Sequence, residues 1–205
     1  MARRRGTRGE GRARLIGAAA ACYGRGGRGG MTINQLCAQA NTSVGTVYHH
    51  FPGGLRDVED ALYLETLESY QQGLVRELCR HRSAAAGVKS MVTFHLGWVA
   101  EDVGRAQYLN YFKASWLSSE HLDRLETMNR EFATGMEDWA APHVSARRIR
   151  RVPILLFGQI VLGAAQQYGS EIIARTDSKQ APREVLRAGS ILADAAWQAV
   201  KGEAS

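Results

Sequence analysis

The sequence predicts an all-α protein, and three observations carry that expectation. Apolar residues recur at spacings of three and four along most of the chain. No segment alternates apolar and polar residues as a half-buried strand requires. The periodic segments are separated by helix caps or by glycine and proline breaks. With 205 residues, 45% of them apolar, the chain is long enough to bury a core and to form one or two small domains. About nine helices are expected.

Leu15, Ile16, Ala19, Ala20 and Tyr23 give the first helix its apolar face, with Thr7 and Glu10 in capping-box spacing at its start. The run Gly24-Arg25-Gly26-Gly27-Arg28-Gly29-Gly30 should end it near Tyr23, because glycine costs a helix about 1 kcal/mol per residue against alanine. Thr32-Ile33-Asn34-Gln35 is a second capping box and opens a short helix with Ile33, Leu36 and Cys37 inward. Asn41 suits the left-handed turn after it. Ser43 then caps a third helix, Val44 to Phe51, which Pro52-Gly53-Gly54 terminates.

A long helix follows from Leu55 to about Arg80, with Leu64, Leu67, Gln71, Leu74 and Leu78 on one stripe. Val88, Met91, Val92, His95, Leu96 and Val99 share the face of the next. Tyr108, Leu109, Phe112 and Trp116 mark a short aromatic helix. Leu122, Leu125, Asn129, Phe132, Met136 and Trp139 repeat until Pro142, where that run is expected to stop. The eighth and ninth helices, approximately Ser145–Ala174 and Pro182–Lys201, are strongly apolar, and Pro153 should kink the eighth or mark its true start.

Charge is distributed unevenly. Residues 1–30 hold eight arginines against Glu10 alone, a surplus of +7, and the rest of the chain sums to −1. A surface that seeks polyanions generally would spread its charge, whereas this basicity is an N-terminal property. Cys22, Cys37 and Cys79 form no CxxC pair and have no histidine at zinc-ligand spacing, so they read as small core residues in a reducing compartment, with no metal and no cofactor. The longest apolar stretch, Val152–Ala165, is broken by Pro153 and Gln159 and falls short of a membrane span of about 20 residues. No signal-peptide core follows the basic start, so a soluble cytoplasmic protein is expected.

Helices of 32–40 and 43–51 joined by a tight turn have the dimensions of a helix-turn-helix, whose second helix lies in the DNA major groove. Ser43, Val44, Gly45 and Thr46 give that helix a small polar first turn able to approach a phosphate closely. Thr46, Tyr48, His49 and His50 supply hydrogen bonds without a fixed charge. Arg3, Arg4 and Arg5 suit an arm that tracks the backbone or the minor groove.

Over these residues, Thr32-Ile33, Leu36-Cys37-Ala38, Ala40-Asn41 and Ser43 through Phe51, the sequence resembles the DNA-binding signature of the TetR family of transcriptional regulators. The resemblance implies a homodimer that represses transcription at a palindromic operator on double-stranded DNA and releases it when a small molecule enters the C-terminal half. It implies that Thr32, Tyr48 and His49 contact phosphates, that Gly45 permits close approach, and that Val44 and Thr46 face base edges. Valine offers only apolar contact there, for example to a thymine methyl. The sequence departs from the family pattern twice: Asn41 stands where the turn glycine is usual, and Gly54 where a phosphate-binding lysine is usual, with Arg56 or the N-terminal arginines as replacements.

The expected organisation is a helix-turn-helix domain of residues 1–54 and a ligand-binding and dimerisation domain of residues 55–205. His95, Trp98, Tyr108, Tyr111, Phe112, Trp116, Phe132 and Phe157 concentrate in the middle helices, which fits core packing and also an apolar cavity with a few polar anchors. The effector should be largely apolar, on the expectation that residues 94–157 hold no basic cluster. The eighth and ninth helices carry more apolar surface than a monomer buries, which points to a four-helix dimer interface. Nothing proposes catalysis: there is no P-loop, nucleophile elbow, dinucleotide fingerprint or Glu-x-x-His pair. Two other readings stay open on the sequence, a weakly specific architectural DNA binder and a helical small-molecule-binding protein or enzyme with a vestigial helix-turn-helix.

Overall fold

A computed structural model describes residues 8–26, 31–176 and 179–202. Among them are ten α-helices: α1 (Arg8–Gly26), α2 (Ile33–Ala40), α3 (Val44–His50), α4 (Leu55–Cys79), α5 (Ala84–Glu101), α6 (Val103–Tyr111), α7 (Leu122–Ser145), α8 (Ile154–Arg175), α9 (Ala181–Arg187) and α10 (Gly189–Val200). Short 3-10 turns cover Ala114–Trp116 and Ser119–His121, and one antiparallel bridge pairs Ile149 with Lys201.

The all-helical expectation holds, with four boundary corrections. α1 continues past Tyr23 to Gly26. Pro142 lies inside α7, which runs on to Ser145, because the one bond its missing N–H forfeits falls in the last turn. Pro153 marks the true start of the eighth helix, one of the two outcomes expected of it, and as the N-cap of α8 it moves that start from Ser145 to Ile154. The run from Pro182 breaks at Ala188, beside the poor helix former Gly189, and so makes ten helices where nine were expected. Thr7, of the first capping box, lies outside the described residues.

The chain forms two compact units, Met1–Leu67 with Gly104–His121, and Glu68–Val103 with Leu122–Ser205. The helix-turn-helix therefore sits in a unit that also contains the first half of α4 and nearly all of α6. Its core gathers Leu15, Leu36, Val47, Val58 and Leu62, all fully buried. Each contributes roughly 1.5–3 kcal/mol by leaving water. Polar bonds join α4 to α6 and to the segment after it. Tyr108 donates to the Glu59 carbonyl (2.7 Å), and the buried Asp60 accepts from the Ser118 N–H (3.2 Å) and faces Arg56 Nε (3.5 Å). Without such partners a buried carboxylate is strongly unfavourable.

In the second unit α5 is central, packing against α8, α9 and α10. Val88, Met91, Val92 and Leu96 of α5 are completely buried, along with Leu74 and Leu78 of α4 and Val185 of α9. Of the three cysteines, all free, only Cys37 is the small core residue expected; Cys22 is half-buried and Cys79 exposed.

Candidate nucleic-acid interface and effector site

The α2–α3 geometry follows from its caps. Thr32 Oγ1 accepts from the Gln35 N–H (3.2 Å) while the Gln35 side chain accepts from the Thr32 N–H (2.8 Å), closing the capping box. Asn41 adopts φ 47° and ψ 56°, the left-handed turn that sets α3 across α2. Ser43 Oγ accepts from the Thr46 N–H (3.2 Å) and lies 3.0 Å from Thr46 Oγ1. The hydroxyls of Thr32, Ser43 and Thr46 thus fix the helix starts first. α3 buries only Val47, which leaves Val44 40% and Tyr48 51% exposed, beside exposed Gly45 and His49. The imidazole of His50 lies over Gly11 of α1.

Gly54 explains the missing lysine. Its φ is +69°, a conformation that any residue with a Cβ resists, and a Cβ there would lie 3.0 Å from Tyr48 Cε1. The Tyr48 ring therefore occupies the space over the turn, and its placement depends on glycine. Arg56 is not a free substitute. Its Nε turns inward to Asp60 Oδ1 (3.5 Å) and Ser118 Oγ (3.3 Å). Arg3, Arg4 and Arg5 lie outside the described residues.

The expected effector residues fall in both units. Tyr108, Tyr111, Phe112 and Trp116 belong to the first, where they pack with Tyr23 and Tyr63. Ring centroids are 4.5 Å apart for Tyr23–Tyr108 and 4.6 Å for the stacked Tyr63–Phe112. Tyr23 donates to the Glu59 carboxylate, and burial, then that carboxylate, push its phenol well above the ordinary range. Core packing accounts for Tyr108 and Phe112, whereas Trp116 sits exposed in a 3-10 turn, not in the aromatic helix expected.

His95, Trp98, Phe132 and Phe157 belong to the second unit. Tyr70 lies 4.8 Å from Trp98 between ring centroids, its hydroxyl lies 2.8 Å from His95 Nδ1, and Gln166 also bonds it. His95 is 6% exposed, and its Nε2 has no hydrogen-bond partner among the described residues. Burial holds its pKa down at about 4. That value lies below the unfolded one of about 6.5, so the stability tied to neutral His95 is complete above pH 6.5 and is lost as pH falls towards 4. The loss should be about 2 kcal/mol between pH 7 and pH 5. His143, also buried and lowered by desolvation and then by Arg148, adds in the same direction. Urea unfolding of the His95→Gln variant should show a shallower acid-side decline; an identical pH slope would contradict this role.

Phe132 lines a cleft of about 420 Å³ between α4 and α7, with Gln71, Val75, Met128 and the exposed Cys79. Gln71 is buried and donates to Asn129 (2.9 Å). The expectation that residues 94–157 hold no basic cluster needs correction. Arg147, Arg148, Arg150 and Arg151 place four cations in five positions between α7 and α8. The charge run is visible in the sequence, but its convergence with other cations is not, because those lie far away in the chain. Among the described residues no three His, Cys, Asp or Glu side chains gather as a metal site would need, and no helix is long and apolar enough to cross a membrane.

Residues 15–53 match the family model of bacterial regulatory proteins, tetR family. No curated protein matches the chain in sequence. The fold extends over nearly the whole chain in solved structures. A regulatory protein of the tetR family from Rhodococcus RHA1 shares 18% identity at TM-score 0.73, covering 95% of this chain and 99% of that one. A TetR family regulator from Marinobacter aquaeolei VT8 shares 13% at 0.69, covering 95% and 97%. The TetR family regulator PfmR from Thermus thermophilus shares 16% at 0.64, covering 88% and 94%.

Proposed function

We propose that the chain is a TetR-family transcriptional regulator, a cytoplasmic homodimeric repressor of a palindromic operator, released by a small, largely apolar effector. Members of this family are regulators, not enzymes. The observation that carries the reading is the exposure of Val44 and Tyr48 on a seven-residue helix fixed by Ser43 and Asn41. A core helix of a bundle would bury them. In this reading Thr32, Tyr48 and His49 meet phosphates, Gly45 lets the backbone approach, and Val44 with Thr46 faces base edges. Arg3, Arg4 and Arg5 add salt-dependent affinity without sequence choice.

Release works by population shift. The effector site proposed lies in the second unit, with His95 Nε2 as a polar anchor and Trp98, Phe132 and Phe157 as apolar walls. Because α4 supplies residues to both units, its movement changes the separation of the two recognition helices, which must match half-sites a helical turn or its multiple apart. Dimerisation uses α8 with the α9–α10 pair. Leu155 is 77% and Ile191 71% exposed, and exposed Ala195 and Ala199 leave α10 flat enough for close helix packing.

A mobility shift on DNA flanking the gene, with and without apolar candidate effectors, tests the whole reading. Tyr48→Ala should weaken binding about tenfold at operator and scrambled DNA alike, the loss of one hydrogen bond to a charged group. Unchanged affinity would refute this docking of α3, and undiminished affinity for the scrambled site in the wild type would favour the architectural reading.

A further inference from the structure

The basic run noted above closes one side of a cleft of about 500 Å³ in the second unit, lined by Arg82, Arg147, Arg148 and Lys201 and flanked by the indole of Trp197. The first residues of α5, Ala84 and Ala85, complete it. Ser83 caps the Ala86 N–H, and the N-terminal amides of an 18-residue helix add partial positive charge to the same concavity.

Elsewhere Arg12, Arg56, Arg80, Lys89, Arg124, Arg130, Arg175 and Arg187 each lie within 4 Å of a carboxylate. Among the described residues no carboxylate pairs with the four cations of the cleft. Arg14, Arg76, Lys113 and Arg183 also lack a carboxylate within 4 Å among the described residues, so it is the convergence of four such cations on one concavity that distinguishes this cluster from an ordinary solvated surface. Like charges converging on a concave surface repel, and the neighbouring wall focuses their field, so an anion between them relieves the repulsion.

The backbone holds the cluster in position. Arg150 N–H donates to the Val200 carbonyl (2.9 Å), Gly202 N–H to the Arg148 carbonyl (2.8 Å), and Arg150 Nε to the Lys201 carbonyl (3.1 Å). Gly202 permits this pairing, since a Cβ there would overlap the Arg147 carbonyl oxygen. Arg148 Nε donates to Nδ1 of the buried His143 (3.3 Å), which fixes the guanidinium and keeps that imidazole neutral. Arg147 adopts φ +56°, where an arginine is conformationally unfavourable and a glycine would not be.

We propose that this cleft is a binding site for a polyphosphorylated small molecule, separate from the site for the apolar effector. Three guanidiniums supply the planar forks that match phosphate oxygens, and four cations with a helix N-terminus answer a di- or triphosphate better than a single carboxylate. Trp197 offers a flat apolar group of the ligand a surface to stack on.

The test is calorimetric titration of the full-length protein with inorganic pyrophosphate at physiological salt, with thermal melting as the check on fold. The expected result is saturable binding, one site per protomer, weakened at least tenfold in Arg82→Ala and in Arg147→Gly. Arg147→Gly removes the guanidinium while relieving the backbone, so its melting temperature should hold or rise. Arg130→Ala, in a carboxylate-paired surface arginine, should bind as the wild type does. Non-saturating binding, or equal affinity in all four proteins, overturns the proposal. So does retention on vesicles containing phosphatidic acid without saturable pyrophosphate binding, which would make the cluster a lipid-facing patch.

Discussion

Charging the exposed apolar residues of α8 and α10 together, Leu155→Glu with Ile191→Glu, is expected to convert the proposed dimer to a monomer and cut affinity for its proposed operator by roughly two to four orders of magnitude. Neither side chain is needed by the protomer's own core, since each is more than two-thirds exposed, so the monomer should keep its helicity and its melting behaviour. The affinity loss follows from effective concentration. In the proposed dimer two α3 helices would bind the second half-site as an intramolecular event, and separation would remove that gain without touching any DNA contact. Sedimentation with a mobility shift reads both effects. A dimer that survives both substitutions would move the interface away from α8 and α10.

Installing the family's usual lysine, Gly54→Lys, should destabilise the chain by about 2 kcal/mol, from the left-handed backbone and from the Cβ forced against Tyr48. For a protein of this size that is roughly 4–8 °C of melting temperature. The variant gains a cation near the proposed DNA-facing surface but displaces the aromatic placed there, so tighter operator binding is not expected. Gly54→Asn, with a side chain that tolerates positive φ, should cost less. An unchanged melting temperature in Gly54→Lys would mean that the turn is not fixed by glycine.

The helix-turn-helix was legible because its signals are local. Thr32 with Gln35, Asn41 and Ser43 are each satisfied within three or four residues of themselves, so spacing alone placed α2 and α3 within a residue of their ends. The errors came where local signals compete with packing. Pro142 was an adequate stop signal, yet α7 carries it because buried Trp139, Ala140 and His143 hold the helix on both sides. Gly24 and Gly26 did not end α1 where their propensity suggested. In the second unit periodicity gave the buried face of α5, but not which aromatics meet. Tyr70 belonged to no sequence cluster, yet it bonds His95 across 25 residues.

The sequence by itself therefore determined the helical class, the Ser43-capped helix α3 and the concentration of positive charge in the N-terminal segment, since each depends on residues close together in the chain. Tertiary structure alone decided which charges are neutralised and which converge. Arg56 is committed to the buried Asp60, while Arg82, Arg147, Arg148 and Lys201 meet around one cleft from three separate parts of the chain. The net charge of +6 does not distinguish these cases. Coulomb interactions depend on distance in space, and that distance exists only once the helices have packed.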